Sequence, residues 1–110
     1  MITAKFSNGH TDTYKGSRPV KAAWMVTEIE TGKVIASGHS LTIDNAEKTA
    51  RGAIPLAQQL PSGWSYLKNT VSMYQYAIKR GYKDPSEMAS DYKKQNAERA
   101  KQYRVETVAL

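Results

Sequence analysis

Two histidines, a few dispersed acids and one acid-free basic stretch are the residues of this 110-residue chain whose types could do chemistry. His10 and His39 lie in or beside segments that suit strands, and neither has a metal-ligating neighbour at a usable spacing. Ser40 adjoins His39, but neighbours along a strand point to opposite faces, so the two cannot act as nucleophile and base. The absence of Cys removes thiolate nucleophiles, disulfides and sulfur-ligated zinc together. Asp12, Asp44 and Glu47 are the acids that strands followed by a helix could bring together, and a pair of carboxylates there would hold magnesium for phosphoester hydrolysis. Asp44 and Glu47 have a simpler reading, as acids stabilising the N-terminal end of a helix dipole. No catalytic residue, metal site or cofactor is therefore assigned, and a metal-dependent nuclease is kept only as a minor alternative.

The basic stretch carries more information. Residues 48–83 contain Lys48, Arg51, Lys68, Lys79, Arg80 and Lys83 and no Asp or Glu, so the whole net charge of +6 is concentrated there. Such asymmetry favours polyanionic partners, because phosphate contacts release counterions whatever the sequence. Tyr66, Tyr76 and Tyr82 are interleaved with these cations, a composition suited to stacking on bases and equally to a protein interface.

The elements that must position these residues follow from periodicity. Ile2, Ala4 and Phe6 alternate with polar residues, Asn8-Gly9 is a strong hairpin signal, and Thr11, Thr13 and Tyr14 continue as a second strand. Val20 to Ile29 places Ala22, Trp24 and Val26 on one face and Ala23, Met25 and Ile29 on the other, which predicts a central strand. Glu30-Thr31-Gly32-Lys33 turns the chain into a fourth strand, Val34 to Ser40. A helix capped by Thr42 follows, with Ala46, Ala50, Ala53 and Ile54 towards the sheet, and Pro55 stops or kinks it.

A second helix is predicted from Trp64 to Arg80, with Trp64, Leu67, Val71, Tyr74 and Ile78 as its core stripe and Gly81 as its stop. Tyr66, Asn69, Met73, Tyr76 and Arg80 then fall on the opposite side. That side is either a binding face or is covered by the next helix, and the sequence leaves both open. Tyr82 is the aromatic expected to be most exposed. Asp84-Pro85-Ser86-Glu87 starts a third, polar helix whose apolar residues are Met88 and Tyr92, and Tyr103 to Leu110 returns as a strand that completes the sheet.

Val20 to Leu60 resembles the C-terminal half of a double-stranded-RNA-binding domain. The resemblance rests on Gly32-Lys33-Val34-Ile35, Gly38-His39-Ser40 and the alanine-rich Ala46-Glu47-Lys48-Thr49-Ala50 with Ala53-Ile54. It implies a hairpin packed on the helix and a capacity to bind RNA. Where that family grips phosphates with lysines at the helix N-terminus, this chain has Thr42-Ile43-Asp44-Asn45. The strands and Glu47-bearing helix are also loosely similar to the ribonuclease H fold, without an acid in the first strand or an aspartate ending the last.

The sequence thus predicts one α+β domain over residues 1–110, a mainly antiparallel four- to five-stranded sheet of two N-terminal hairpins and a C-terminal strand, packed against two to three helices. No signal-peptide layout or membrane-spanning run occurs, and a cytoplasmic monomer or homodimer is expected. The function expected is non-enzymatic binding of nucleic acid through Lys48, Arg51, Tyr66, Lys68, Tyr76, Lys79, Arg80, Tyr82 and Lys83. The alternative is an adaptor or inhibitor that binds another protein, of the kind found in phages and other mobile elements.

Overall fold

Asn8 and Gly9 turn the chain between β1 (Ile2–Lys5) and β2 (Thr11–Tyr14), which pair antiparallel from Ile2 opposite Tyr14 to Lys5 opposite Thr11. Gly9 takes a φ of 87°, where most side chains would be strained, and the Asn8 side-chain oxygen accepts from the His10 backbone N–H at 2.9 Å. β3 (Ala22–Glu28), β4 (Val34–Ser40) and β5 (Tyr103–Ala109) form a separate antiparallel sheet in the order β4-β3-β5. The apolar faces of β3 thus belong to a central strand, as its sequence predicts. This computed structural model describes residues 1–110, which fold as two compact units, Met1–Pro55 with Lys101–Leu110 and Leu56–Ala100. The class is α+β.

In the first unit, Ala22, Trp24 and Val26 pack with Ala46 and Ala50 of α1 (Ile43–Gly52), and small residues at helical spacing let helix and sheet approach closely. Thr42 caps α1, its hydroxyl oxygen accepting from the Asn45 backbone N–H at 3.1 Å. On the opposite face of β3, Ala23 and Met25 pack with Ala4 and Phe6. The hairpin β1-β2 therefore covers a face of the three-stranded sheet instead of extending it. The physical reason is that β3 is apolar on both sides, so the sheet needs a cover on each. Ile29, expected with this inner set, is exposed beyond the strand end.

In the second unit, residues 64–80 form two helices, α2 (Trp64–Leu67) and α3 (Val71–Lys79). Thr70 causes the break: its hydroxyl donates to the Leu67 carbonyl at 2.7 Å and accepts from the Met73 N–H at 3.3 Å, ending one helix and capping the next. α3 ends at Gly81, φ 91°, with the Tyr82 N–H on the Ala77 carbonyl at 3.0 Å and the Gly81 N–H on the Ile78 carbonyl at 3.0 Å. α4 (Pro85–Ala100) starts as its sequence predicts, the Asp84 carboxylate accepting from the Glu87 N–H at 2.8 Å and Glu87 from the Lys83 N–H at 3.1 Å. Met73, Ala77, Met88 and Tyr92 are its buried core, with Leu60, Trp64, Tyr76 and Tyr82 packed around them. The Leu56 to Leu60 stretch is irregular, tied to α4 by the Asn96 side chain, which bonds both the N–H (2.8 Å) and the carbonyl (2.9 Å) of Gln58. No helix of either unit is long and apolar enough to cross a membrane.

Candidate functional site

Beyond the break at Thr70 the expected faces change places within α3, while Trp64 keeps its expected place on the core and Tyr66 and Arg80 stay exposed. Met73 and Tyr76, expected opposite the core stripe, pack into the core of the second unit. Leu67, Val71, Tyr74 and Ile78, expected inside, are exposed, Val71 at 74% and Ile78 at 60%. Of the two arrangements open from the sequence, Met73 and Tyr76 are thus covered, with α4 supplying Met88 and Tyr92 against them. Because Val71, Tyr74 and Ile78 recur at i, i+3 and i+7, they lie on one side of α3, one turn above another.

The residues expected to bind divide between the units and differ in availability. Lys48 and Arg51 lie on α1, where the Arg51 guanidinium meets Glu47 at 3.0 Å one turn earlier. Tyr66 is 90% exposed on α2, and Lys68, Lys79 and Lys83 are exposed without side-chain partners. Arg80, by contrast, stacks 4.3 Å from the Tyr76 ring centroid and donates to the Tyr92 hydroxyl at 3.4 Å. Tyr82, expected as the most exposed aromatic, is half-buried, edge-on to Tyr92 with ring centroids 6.1 Å apart. Its hydroxyl donates to Asp91 at 2.5 Å, and Gln95 donates to the same carboxylate oxygen at 2.7 Å. The bond to Asp91 pushes the Tyr82 phenol up to about 12, while the donors from Tyr82 and Gln95 hold Asp91 below its ordinary value. Tyr76, Arg80 and Tyr82 are therefore parts of the second unit's fold before they are parts of a surface.

A polar network that the sequence does not disclose lies in the first unit. In the β3-β4 register, Ala23 faces His39 and Met25 faces Ser37, which puts Ser37 and His39 on the side of the sheet that the hairpin covers. Asp12 and Tyr14 of β2, and His10 just before it, reach towards them. Ser37 donates to one Asp12 oxygen at 2.7 Å, and His39 Nδ1–H donates to the other at 2.8 Å. With its proton on Asp12, the Ser37 hydroxyl accepts from His10 Nε2–H at 3.0 Å. The His39 side chain is 1% exposed, and its Nε2 is buried without a hydrogen-bond partner.

No protein-family model matches this chain. Neither the curated proteins nor the solved structures contain a match. No group of three or more His, Asp or Glu side chains able to hold a metal is formed. Asp12 is instead committed to Ser37 and His39, and Glu47 to Arg51. The signal for the network was present as paired polar residues two apart, His10 with Asp12 and Ser37 with His39. Each pair marks one side of one strand, but only the packing of hairpin on sheet makes the two sides meet.

Proposed function

We propose that the protein is a small non-enzymatic binding protein that docks a partner protein on the apolar ridge of α2 and α3. The observation that carries this is the exposure of Val71, Tyr74 and Ile78 on one side of α3, with Leu67 exposed at the end of α2. Single exposed apolar side chains are ordinary, whereas a ridge at helical spacing matches the groove of an amphipathic helix laid along it. Lys68 and Lys79 flank the ridge, and residues 48–83 contain no acid. A partner helix with carboxylates beside its apolar stripe is therefore favoured, while a second copy would set cation against cation. The role is that of an adaptor or inhibitor such as phages and other mobile elements encode.

The test compares partner capture by the wild type with capture by Val71→Ser/Ile78→Ser, alongside sedimentation of each protein alone. A specific partner lost in the double variant supports the reading. Undiminished capture overturns it, and so does a wild-type dimer that the variant abolishes without any second protein.

Nucleic-acid binding is the second reading, favoured by the unpartnered Lys48, Lys68, Lys79 and Lys83 and by the 90% exposure of Tyr66. Anisotropy titrations against duplex RNA, duplex DNA and single-stranded DNA at two salt concentrations decide it. Affinity that falls steeply with salt and with Lys68→Ala/Lys79→Ala supports it. No binding at low salt ends it.

A further inference from the structure

The buried network of the first unit borders a cavity of about 420 Å³ lined by Tyr14, Arg18, Val20, His39, Leu41 and Asn45. Three polar groups on this lining have capacity left over. His39 commits Nδ1–H to Asp12, so Nε2 is the ring's remaining hydrogen-bonding atom, and it has no partner. Tyr14 accepts the Arg18 backbone N–H on its hydroxyl oxygen at 3.3 Å, which leaves its own proton to donate. The Arg18 guanidinium stands exposed with no ion pair or hydrogen bond. Asn45, its backbone N–H taken by the Thr42 cap, brings the first turn of α1 to the same cavity, where the positive end of the helix dipole favours an anion.

The loop that carries Arg18 is shaped around this cavity. A β-carbon on Gly16 would stand 2.3 Å from the Tyr14 hydroxyl oxygen, so the loop passes over the phenol only because residue 16 has no side chain. Tyr14 in turn lies against His39, ring centroids 5.6 Å apart. Asp12 therefore fixes the imidazole from one side, and Tyr14 holds both the imidazole and the Arg18 loop from the other.

We propose that this cavity binds a small phosphomonoester. Arg18 supplies the charge that pairs with the phosphate, the Tyr14 hydroxyl donates to a phosphate oxygen, and His39 Nε2 accepts from a phosphate hydroxyl or, when the ring carries both protons, donates to a further phosphate oxygen. Nε2 is buried, so this last bond requires the ligand to displace what covers the imidazole edge. The volume exceeds what a bare phosphate needs and falls in the range of small-molecule sites, with Val20 and Leu41 as apolar walls for the body of the ligand. Two negative groups act against the anion, Asp12 behind the imidazole and Asp44 in the first turn of α1, and they favour a single phosphomonoester group over a more highly charged polyphosphate.

The chain's two histidines make the site readable through the ring nitrogens of His39 by long-range proton–nitrogen NMR. The full chain is titrated with adenosine 5′-monophosphate, ribose 5-phosphate and inorganic phosphate, with adenosine as the phosphate-free control. A saturable shift of His39 Nε2, with backbone shifts at Arg18, Leu41 and Asn45, is expected from the phosphomonoesters and not from adenosine. Arg18→Gln, at an exposed position, should weaken binding about tenfold or more, the loss of one charge-assisted bond, with an unchanged thermal melt as the check on folding. A shift from the nucleotide alone assigns the ligand body to a nucleoside, and equal shifts from both esters assign it to the phosphorylated sugar. Absence of any saturable His39 shift up to about 10 mM overturns the proposal, as does undiminished binding by Arg18→Gln.

Discussion

The indole of Trp24 lies across Gly38 of the neighbouring strand, 3.0 Å from where a β-carbon on residue 38 would stand. Trp24 packs in one core with Ala46 and Ala50 of α1, which limits its room to retreat. Gly38→Ala should therefore destabilise the first unit by about 1–3 kcal/mol through overpacking, and Gly38→Val by more. Thermal melts of both variants check this, and a Gly38→Ala protein as stable as the wild type would mean that the indole has room to shift.

Asp12→Ala leaves the buried His39 and the Ser37 hydroxyl without their shared acceptor, and a cost of about 1–3 kcal/mol is expected. Ser37→Ala should cost less, since His39 keeps Asp12 and His10 reaches towards the surface. Urea denaturation of both single variants and the double variant gives the coupling, which should be positive and large compared with error.

Met73→Ala should cost about 2–4 kcal/mol, because Met73 is 5% exposed in the core of the second unit. Val71→Ser, two residues earlier, should change stability by less than about 0.5 kcal/mol. The opposite ranking, which a single helix over residues 64–80 demands, would restore the core stripe predicted from periodicity.

The second unit should lose stability in strong base. Tyr82 has a folded value of about 12 against an ordinary 10.0, raised first by its bond to Asp91, so the neutral phenol is favoured by folding. The stabilisation is fully present below pH 10 and is lost as pH rises through 12. Asp91, lowered by Tyr82 and Gln95, acts at the other end: its contribution is present above its ordinary 3.8 and fades as pH falls through its depressed value. Ultraviolet titration of tyrosinate should show one phenol ionising late, and Tyr82→Phe should remove that late component while leaving the others in place.

Local signals were legible wherever one residue decides local geometry. Thr42, Gly81 and the Asp84-Pro85-Ser86-Glu87 start all act as their types predict, and the double-faced β3 is central as its alternation implies. What escaped was the effect of Thr70. Its hydroxyl is a weak capping signal inside a strong helical period, yet satisfying Leu67 and Met73 at once interrupts the helix and reassigns which side is buried. The Asp12 network escaped for another reason: each member is unremarkable on its own strand, and their meeting depends on the hairpin lying on the sheet, a contact no local pattern encodes.

The pairing of β5 with β3 sets an order of events during synthesis. β3 is complete by residue 28, but its second neighbour begins at residue 103, after the whole of the second unit has been made. While the chain is growing, β3 therefore presents an apolar strand with one unsatisfied row of N–H and C=O groups, open to any strand that arrives first. β5 is the strand that closes this edge, so its arrival separates a chain at risk of association from one that is safe.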